Sequence, residues 1–179
     1  MFPYFYQFTT PLLPLNSKRL LVEFAENHPE LIQQYYSGIT NTVDKDVCFI
    51  LLNCAPEFNQ QINPEIETFL AVISLPFYCM ILRHQPGVVV SIHRDDPNRR
   101  NTIISIPLQP LENYPPTHFY NFNGDTAHTA RRKPIATAKF ESGNACILNT
   151  QELHGLVNTS QHTRYNLQIC FHESWDIVY

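Results

Sequence analysis

Three residues of this chain have the types and spacing to hold a transition-metal ion: His93, Asp95 and, 61 residues after His93, His154. Two imidazoles and one carboxylate form the donor set of non-haem iron centres. They occupy one face of Fe(II) and leave the remaining positions open to small ligands such as O2. Arg164 follows ten residues after His154. A guanidinium there is suited to take the far end of a metal-bound dicarboxylate through a two-pronged, charge-assisted contact. His93 and Asp95 are two apart, so on an extended chain both side chains leave the same face and can reach one ion. Arg94, between them, then points the other way. Asp96 is the rival carboxylate, but three positions along an extended chain it diverges from His93.

A bare His-x-Asp occurs often by chance, so its surroundings matter. Gln85-Pro86-Gly87 is a turn that opens the apolar run Val88-Val89-Val90 leading into His93. Asp96-Pro97-Asn98 reads as a turn just after the pair, which puts it at a strand end, where sites open to solvent. The run Arg164 to Phe171 alternates: Arg164, Asn166 and Gln168 share one face, and Tyr165, Leu167, Ile169 and Phe171 the other. His84, His118, His128, His162 and His172 have no partner at ligand spacing and read as surface or hydrogen-bonded histidines.

The elements that must position these residues are mostly strands. Short β-rich runs follow one another at Phe77–Arg83, Val88–His93, Thr102–Pro107, His118–Phe122, Ile135–Phe140, Ala145–Asn149, Gly155–Asn158 and Arg164–His172, with Asn123-Gly124 and Ser142-Gly143 as further turns. About eight short strands suit a double-sheet jelly roll. Upstream, Ser17 to Ser37 reads as a helix capped by Asn16 or Ser17 and ended by Gly38, with a break or kink expected at His28-Pro29. Asp46 to Cys54 reads as a strand, and Asn63 to Ile73 as a second helix with Pro64 in its first turn. The expected fold is therefore mainly β with flanking helices. It forms a single domain over residues 1–179, with N-terminal support in 1–76, a jelly-roll core in 77–172 and a C-terminal tail in 173–179 that packs on the barrel.

A net charge of −4 gives no general basic surface, so a nucleic-acid polymer is not the expected partner. Local basic spots at Arg99-Arg100 and Arg131-Arg132-Lys133 are either solvated loop charges or the mouth of a site that receives an acid. Arg94 and Arg100 are the candidate substrate-binding residues of such a mouth. The cysteines are odd in number, 5, with no Cys-x-x-Cys pair (Cys48, Cys54, Cys79, Cys146 and Cys170), and most sit in apolar runs. Buried free thiols in a reducing, cytoplasmic compartment are expected. No basic leader precedes an apolar run at the N-terminus, and no stretch is long and apolar enough to span a membrane, so no membrane partner is expected.

The ordered set resembles the Fe(II)/2-oxoglutarate-dependent oxygenases, and within them the aspartyl/asparaginyl β-hydroxylase and cis-prolyl hydroxylase branch. The resemblance spans roughly Leu82 to Phe171. It is carried by His93-Arg94-Asp95, by Arg100 leading into Thr102-Ile103-Ile104-Ser105-Ile106-Pro107-Leu108, by Gly143-Asn144-Ala145-Cys146-Ile147-Leu148-Asn149, by His154-Gly155-Leu156-Val157-Asn158, and by Arg164. It implies a double-stranded β-helix, a cupin-like jelly roll, whose second and seventh strands are neighbours, bringing His93 and Asp95 beside His154. It further implies Fe(II), 2-oxoglutarate as co-substrate, O2, and an Arg164 that holds the distal carboxylate with Asn166 as its polar partner. Arg100 would reach a carboxylate of substrate or co-substrate. The expected activity is hydroxylation of an unactivated C–H bond in a small carboxylate-bearing substrate such as a free amino acid. A peptidyl Asp, Asn or Pro hydroxylase is the runner-up. A non-catalytic cupin-type binding module is the rival from another class, and Arg164 argues against it.

Overall fold

The computed structural model of the protein describes residues 4–36, 43–51, 78–98, 100–121 and 133–175, with the backbone alone at 33–36 and 43–51. Among the described residues eleven strands form two sheets. The larger contains β1 (Phe5–Gln7), β2 (Gln33–Tyr36), β3 (Val43–Leu51), β4 (Tyr78–His84), β6 (Thr102–Gln109), β9 (Cys146–Asn149) and β11 (Arg164–Phe171), in the order β1-β9-β6-β11-β4-β3-β2. The smaller contains β5 (Val89–His93), β7 (Thr117–Phe119), β8 (Ala136–Ala138) and β10 (His154–Val157), in the order β5-β10-β7-β8. The pairings are antiparallel, and β4 to β11 cross between the sheets, which is a jelly roll.

Strand alternation divides the interior into two layers. Tyr165, Leu167, Ile169 and Phe171 of β11, with Ile104, Ile106 and Leu108 of β6, pack against Leu21, Val22, Phe24 and Ala25 of helix α1 (Leu15–Asn27). The opposite face of the large sheet meets the small sheet. Met80, Leu82, Ile103, Cys146, Leu148 and Cys170 pack there with Phe119, Ala138, Phe140 and Tyr114. This second layer shares its sheet face with Arg164, Asn166 and Gln168, so the polar residues of β11 point into the barrel. Trp175 is buried with the α1 layer.

The N-terminal segment differs from the long helix expected there. The helix covers Leu15–Asn27, starts after Pro14 and has no side-chain cap, so neither Asn16 nor Ser17 caps it. It ends where His28 precedes Pro29, because proline's ring disfavours helical backbone in the preceding residue. A 3₁₀ turn (Pro29–Leu31) and β2 follow in place of more helix. The strand expected at Asp46–Cys54 begins earlier, at Val43, and β1, β2 and β3 all join the large sheet. The second helix expected at Asn63–Ile73 lies outside the described residues, as do the Asn123-Gly124 turn and Arg99, Arg131 and Arg132.

Two glycines shape the strands that carry the site. Gly87 (φ +82°) lets Pro86-Gly87 turn the chain from β4 into β5, with Val88 N–H donating to Gln85 C=O at 3.2 Å. Gly155 lies opposite an extra residue in β5, between the His154–His93 and Leu156–Val90 pairs. A Cβ at Gly155 would stand 2.9 Å from the Val90 carbonyl oxygen, so only glycine lets β10 approach β5 this closely.

Candidate metal centre

His93, the last residue of β5, and His154, the first of β10, face each other directly across an antiparallel pair. That register removes the 61-residue separation: the ring centroids lie 4.5 Å apart. Asp95 stands two residues beyond His93, where the backbone has left the strand, and its N–H donates to Thr150 C=O at 3.0 Å. Ligand atoms of His93, Asp95 and His154 all lie within 4.8 Å of one another, and among the described residues this is the one such group. Asp96 is exposed and turned away, accepting from Asn98 N–H at 3.0 Å.

The imidazole tautomers are fixed by the backbone. His93 Nδ1 lies 2.7 Å from Ser91 C=O, and His154 Nδ1 lies 2.9 Å from Glu152 C=O. A carbonyl can only accept, so each Nδ1 carries the proton. In the neutral rings each Nε2 then offers a lone pair, and both aim at Asp95: His93 Nε2 is 3.3 Å from Oδ1, His154 Nε2 4.0 Å from Oδ2. Two lone pairs and a carboxylate converging without a proton between them repel, and a cation removes the conflict. The outer hydrogen bonds are those that orient metal-ligating histidines.

Electrostatics favour the ligand forms. Burial pushes the His154 pKa down to about 4, and the neighbouring His93 adds to this, so the ring is neutral at pH 7. Burial alone would raise the Asp95 pKa. The neighbouring His93 and the charge of Arg100, with a lesser contribution from His154, hold it well below the usual carboxylate range.

Arg164, on the face of β11 that it shares with Asn166 and Gln168, is 1% exposed. Its Nη1 donates to His84 Nδ1 at 3.0 Å, and its guanidinium carbon stands 4.6 Å from the centre of the Tyr114 ring. His84, opposite Arg164 on β4, is held neutral by burial and by the arginine's charge. Among the described residues no carboxylate pairs with Arg164, and its Nε has no acceptor. Asn166 Oδ1 accepts from Ser105 Oγ at 3.1 Å, while its Nδ2 has no hydrogen-bond partner. A buried cation without an anion is costly.

Arg100 differs from expectation. It reaches a carboxylate, but the protein's own: Nη2 donates to Asp95 Oδ1 at 2.8 Å and Nη1 to Gln168 Oε1 at 3.3 Å. At 8% exposure it is not at a solvent-facing mouth. Arg94 is exposed, as alternation predicts. His84, Tyr114, Ser105 and Gln168 went unassigned in the sequence. The signal for Gln168 was present in its shared face with Arg164 and Asn166. For His84 it was its place on β4 two residues beyond Leu82, on the inward face.

No family model and no curated protein matches the chain. Solved structures do. A Pseudomonas putida prolyl-4-hydroxylase is 15% identical over 96% of this chain and 94% of its own, with a TM-score of 0.59. A Trichoplax adhaerens prolyl hydroxylase in complex with a hypoxia inducible factor peptide fragment is 10% identical over 93% and 82%, with a TM-score of 0.62. HygX from Streptomyces hygroscopicus, with nickel and 2-oxoglutarate bound, is 10% identical over 93% and 81%, with a TM-score of 0.51. The two-sheet jelly roll that places His93 against His154 is thus the fold this chain shares with these structures.

Proposed function

We propose that the chain is an Fe(II)- and 2-oxoglutarate-dependent dioxygenase that hydroxylates an unactivated C–H bond of a small carboxylate-bearing substrate, such as a free amino acid. The observation that carries this reading is the pairing of two sites in one barrel. At one, Nε2 lone pairs of His93 and His154 converge on Asp95; at the other, Arg164 is buried without an anion. His93, Asp95 and His154 would hold the iron, and Arg164 the distal carboxylate of 2-oxoglutarate, with Asn166 beside it. Bound there with O2, the pair would supply oxidative hydroxylation coupled to decarboxylation of the keto acid. The protein's part is to orient and to exclude water. His84, kept neutral, accepts from Arg164 and aims it without competing for the anion. The apolar residues packed between the sheets, among them Met80, Leu82, Ile103 and Leu148, would serve the exclusion of water.

The solved relatives support the reading through their fold, and one of them binds a metal and 2-oxoglutarate. Another binds a peptide fragment, which favours a peptidyl residue as the second substrate reading. Among the described residues no helix is long and apolar enough to cross a membrane. Cys79, Cys146 and Cys170 are buried free thiols, which suits a reducing, cytoplasmic compartment. The test is succinate release from 2-oxoglutarate by Fe(II)-loaded protein against free amino acids, small acids and peptides. Release stimulated by a small carboxylate is expected. Stimulation by peptides alone would move the assignment to the second reading, and none with any class would contradict the proposal.

A further inference from the structure

Two side chains of different strands meet on Arg100: Asp95 just past β5, and Gln168 of β11. We propose that Arg100 is a positioning residue of the metal centre, a fork between Gln168 and Asp95 that fixes the plane and aim of the Asp95 carboxylate beside His93 and His154. This rests on the reading of His93, Asp95 and His154 as a divalent-metal site.

A carboxylate ligates an ion only when its plane and oxygens are aimed at it, which is the part an outer hydrogen-bond partner plays. A guanidinium fixes the carboxylate plane because its donors are coplanar and rigid. Arg100 in turn is fixed from both ends. Its tip is anchored to Gln168, four residues along β11 from Arg164. Its backbone is clasped by the turn that precedes His154: Thr150 Oγ1 donates to Arg100 C=O at 3.3 Å and Gln151 Nε2 donates to the same oxygen at 3.1 Å. Gln151 Nε2 also reaches Asp95 C=O at 3.4 Å, and Arg100 N–H closes the loop onto Asp96 C=O at 3.0 Å. The carboxylate ligand and the distal histidine are therefore held by one hydrogen-bonded unit. Charge alone would work against the site, because a cation beside Asp95 opposes an arriving dication. What Arg100 contributes to binding is direction.

That separation of charge from direction selects the experiment. Arg100→Lys keeps the charge but cannot span Asp95 and Gln168. Gln168→Leu keeps Arg100 and removes its anchor. Wild type and both variants are titrated with Co(II), read by chelator competition and by the visible d–d spectrum, which reports coordination number. Arg100→Lys is expected to weaken Co(II) binding on the order of tenfold, at the lower end of what losing a ligand's outer hydrogen-bond partner costs, and to change the d–d intensity. Gln168→Leu is expected to shift the spectrum in the same direction with a smaller loss, and it decides the matter alone if the lysine variant does not fold. Wild-type affinity and spectrum in the folded variants would overturn the positioning role while leaving the metal site standing. A wild-type protein that binds no Co(II) would overturn the metal site and this role together.

Discussion

Replacing Arg164 with methionine has two consequences of different size, and together they separate a ligand-binding arginine from a structural one. The guanidinium is buried, with neutral His84 and the Tyr114 ring as its partners. Losing these contacts costs about 1–3 kcal/mol. Removing a buried charge that no described carboxylate neutralises returns a comparable amount. Arg164→Met should therefore leave the ligand-free protein within about 2 kcal/mol of wild type. Binding of 2-oxoglutarate should suffer far more in proportion. A charge-assisted contact is worth about 1.5–3 kcal/mol, or roughly ten- to a hundredfold in Kd. The assay is urea unfolding of nickel-loaded protein with and without 2-oxoglutarate. At a concentration near 100 times the wild-type Kd, the ligand stabilises wild type by about 2.7 kcal/mol; a hundredfold weaker variant gains only about 0.4 kcal/mol. Equal stabilisation of the two proteins would refute the assignment of Arg164 as the carboxylate anchor.

Other expectations follow from the same geometry. Gly155→Ala should lower stability by about 1–3 kcal/mol and weaken metal binding, because its Cβ would force β10 away from Val90 and His154 away from His93; unchanged Co(II) affinity would show that this strand spacing does not matter. Asn158 is fully buried, and the two N–H donors of its Nδ2 are shared among the carbonyls of His84, Gln85 and His162 at 3.0, 3.0 and 3.1 Å. Asn158→Ala should cost about 2–4 kcal/mol in urea unfolding, and a loss under 1 kcal/mol would contradict this. Metal-free protein should lose stability on acidification. His84 and His154 both have depressed folded pKa values, so below about pH 6.5 the unfolded chain binds more protons. The contribution of His154, on the order of 3 kcal/mol, is present near pH 7 and lost as the pH falls toward 4. Asp95 adds a further loss below its ordinary pKa. A flat urea midpoint between pH 7 and 4 would be inconsistent with neutral, buried imidazoles.

Much of the site was legible because it rests on period-two alternation. His93 and Asp95 share a side, and Arg164, Asn166 and Gln168 line one face of β11, as their spacing requires. The contact between β5 and β10 was not in the spacing at all; it came from the resemblance to a jelly roll and from the crossover order that the fold imposes. The pairing of Arg100 with Asp95 was not legible because the partner lies five residues back across a turn closed by Arg100 N–H to Asp96 C=O, and alternation has nothing to say about a chain that folds on itself. The helix was drawn too long because Leu31 and Ile32 extended an apolar face past His28-Pro29. The proline outweighed them, and both residues are only partly buried against the core. His84 was set aside as lacking a ligand partner, since its part is to accept a hydrogen bond from a residue 80 positions away.

The central claim is that His93, Asp95 and His154 hold an iron that 2-oxoglutarate joins through its keto-acid end. Anaerobic addition of Fe(II) and then 2-oxoglutarate to the wild-type protein tests it most directly. The account predicts one Fe(II) per chain and a weak visible charge-transfer band that appears with the keto acid and is absent in His93→Ala, Asp95→Ala and His154→Ala, each with the wild-type circular dichroism. A wild-type protein without the band, or an Asp95→Ala variant that retains it at full intensity, would contradict the account.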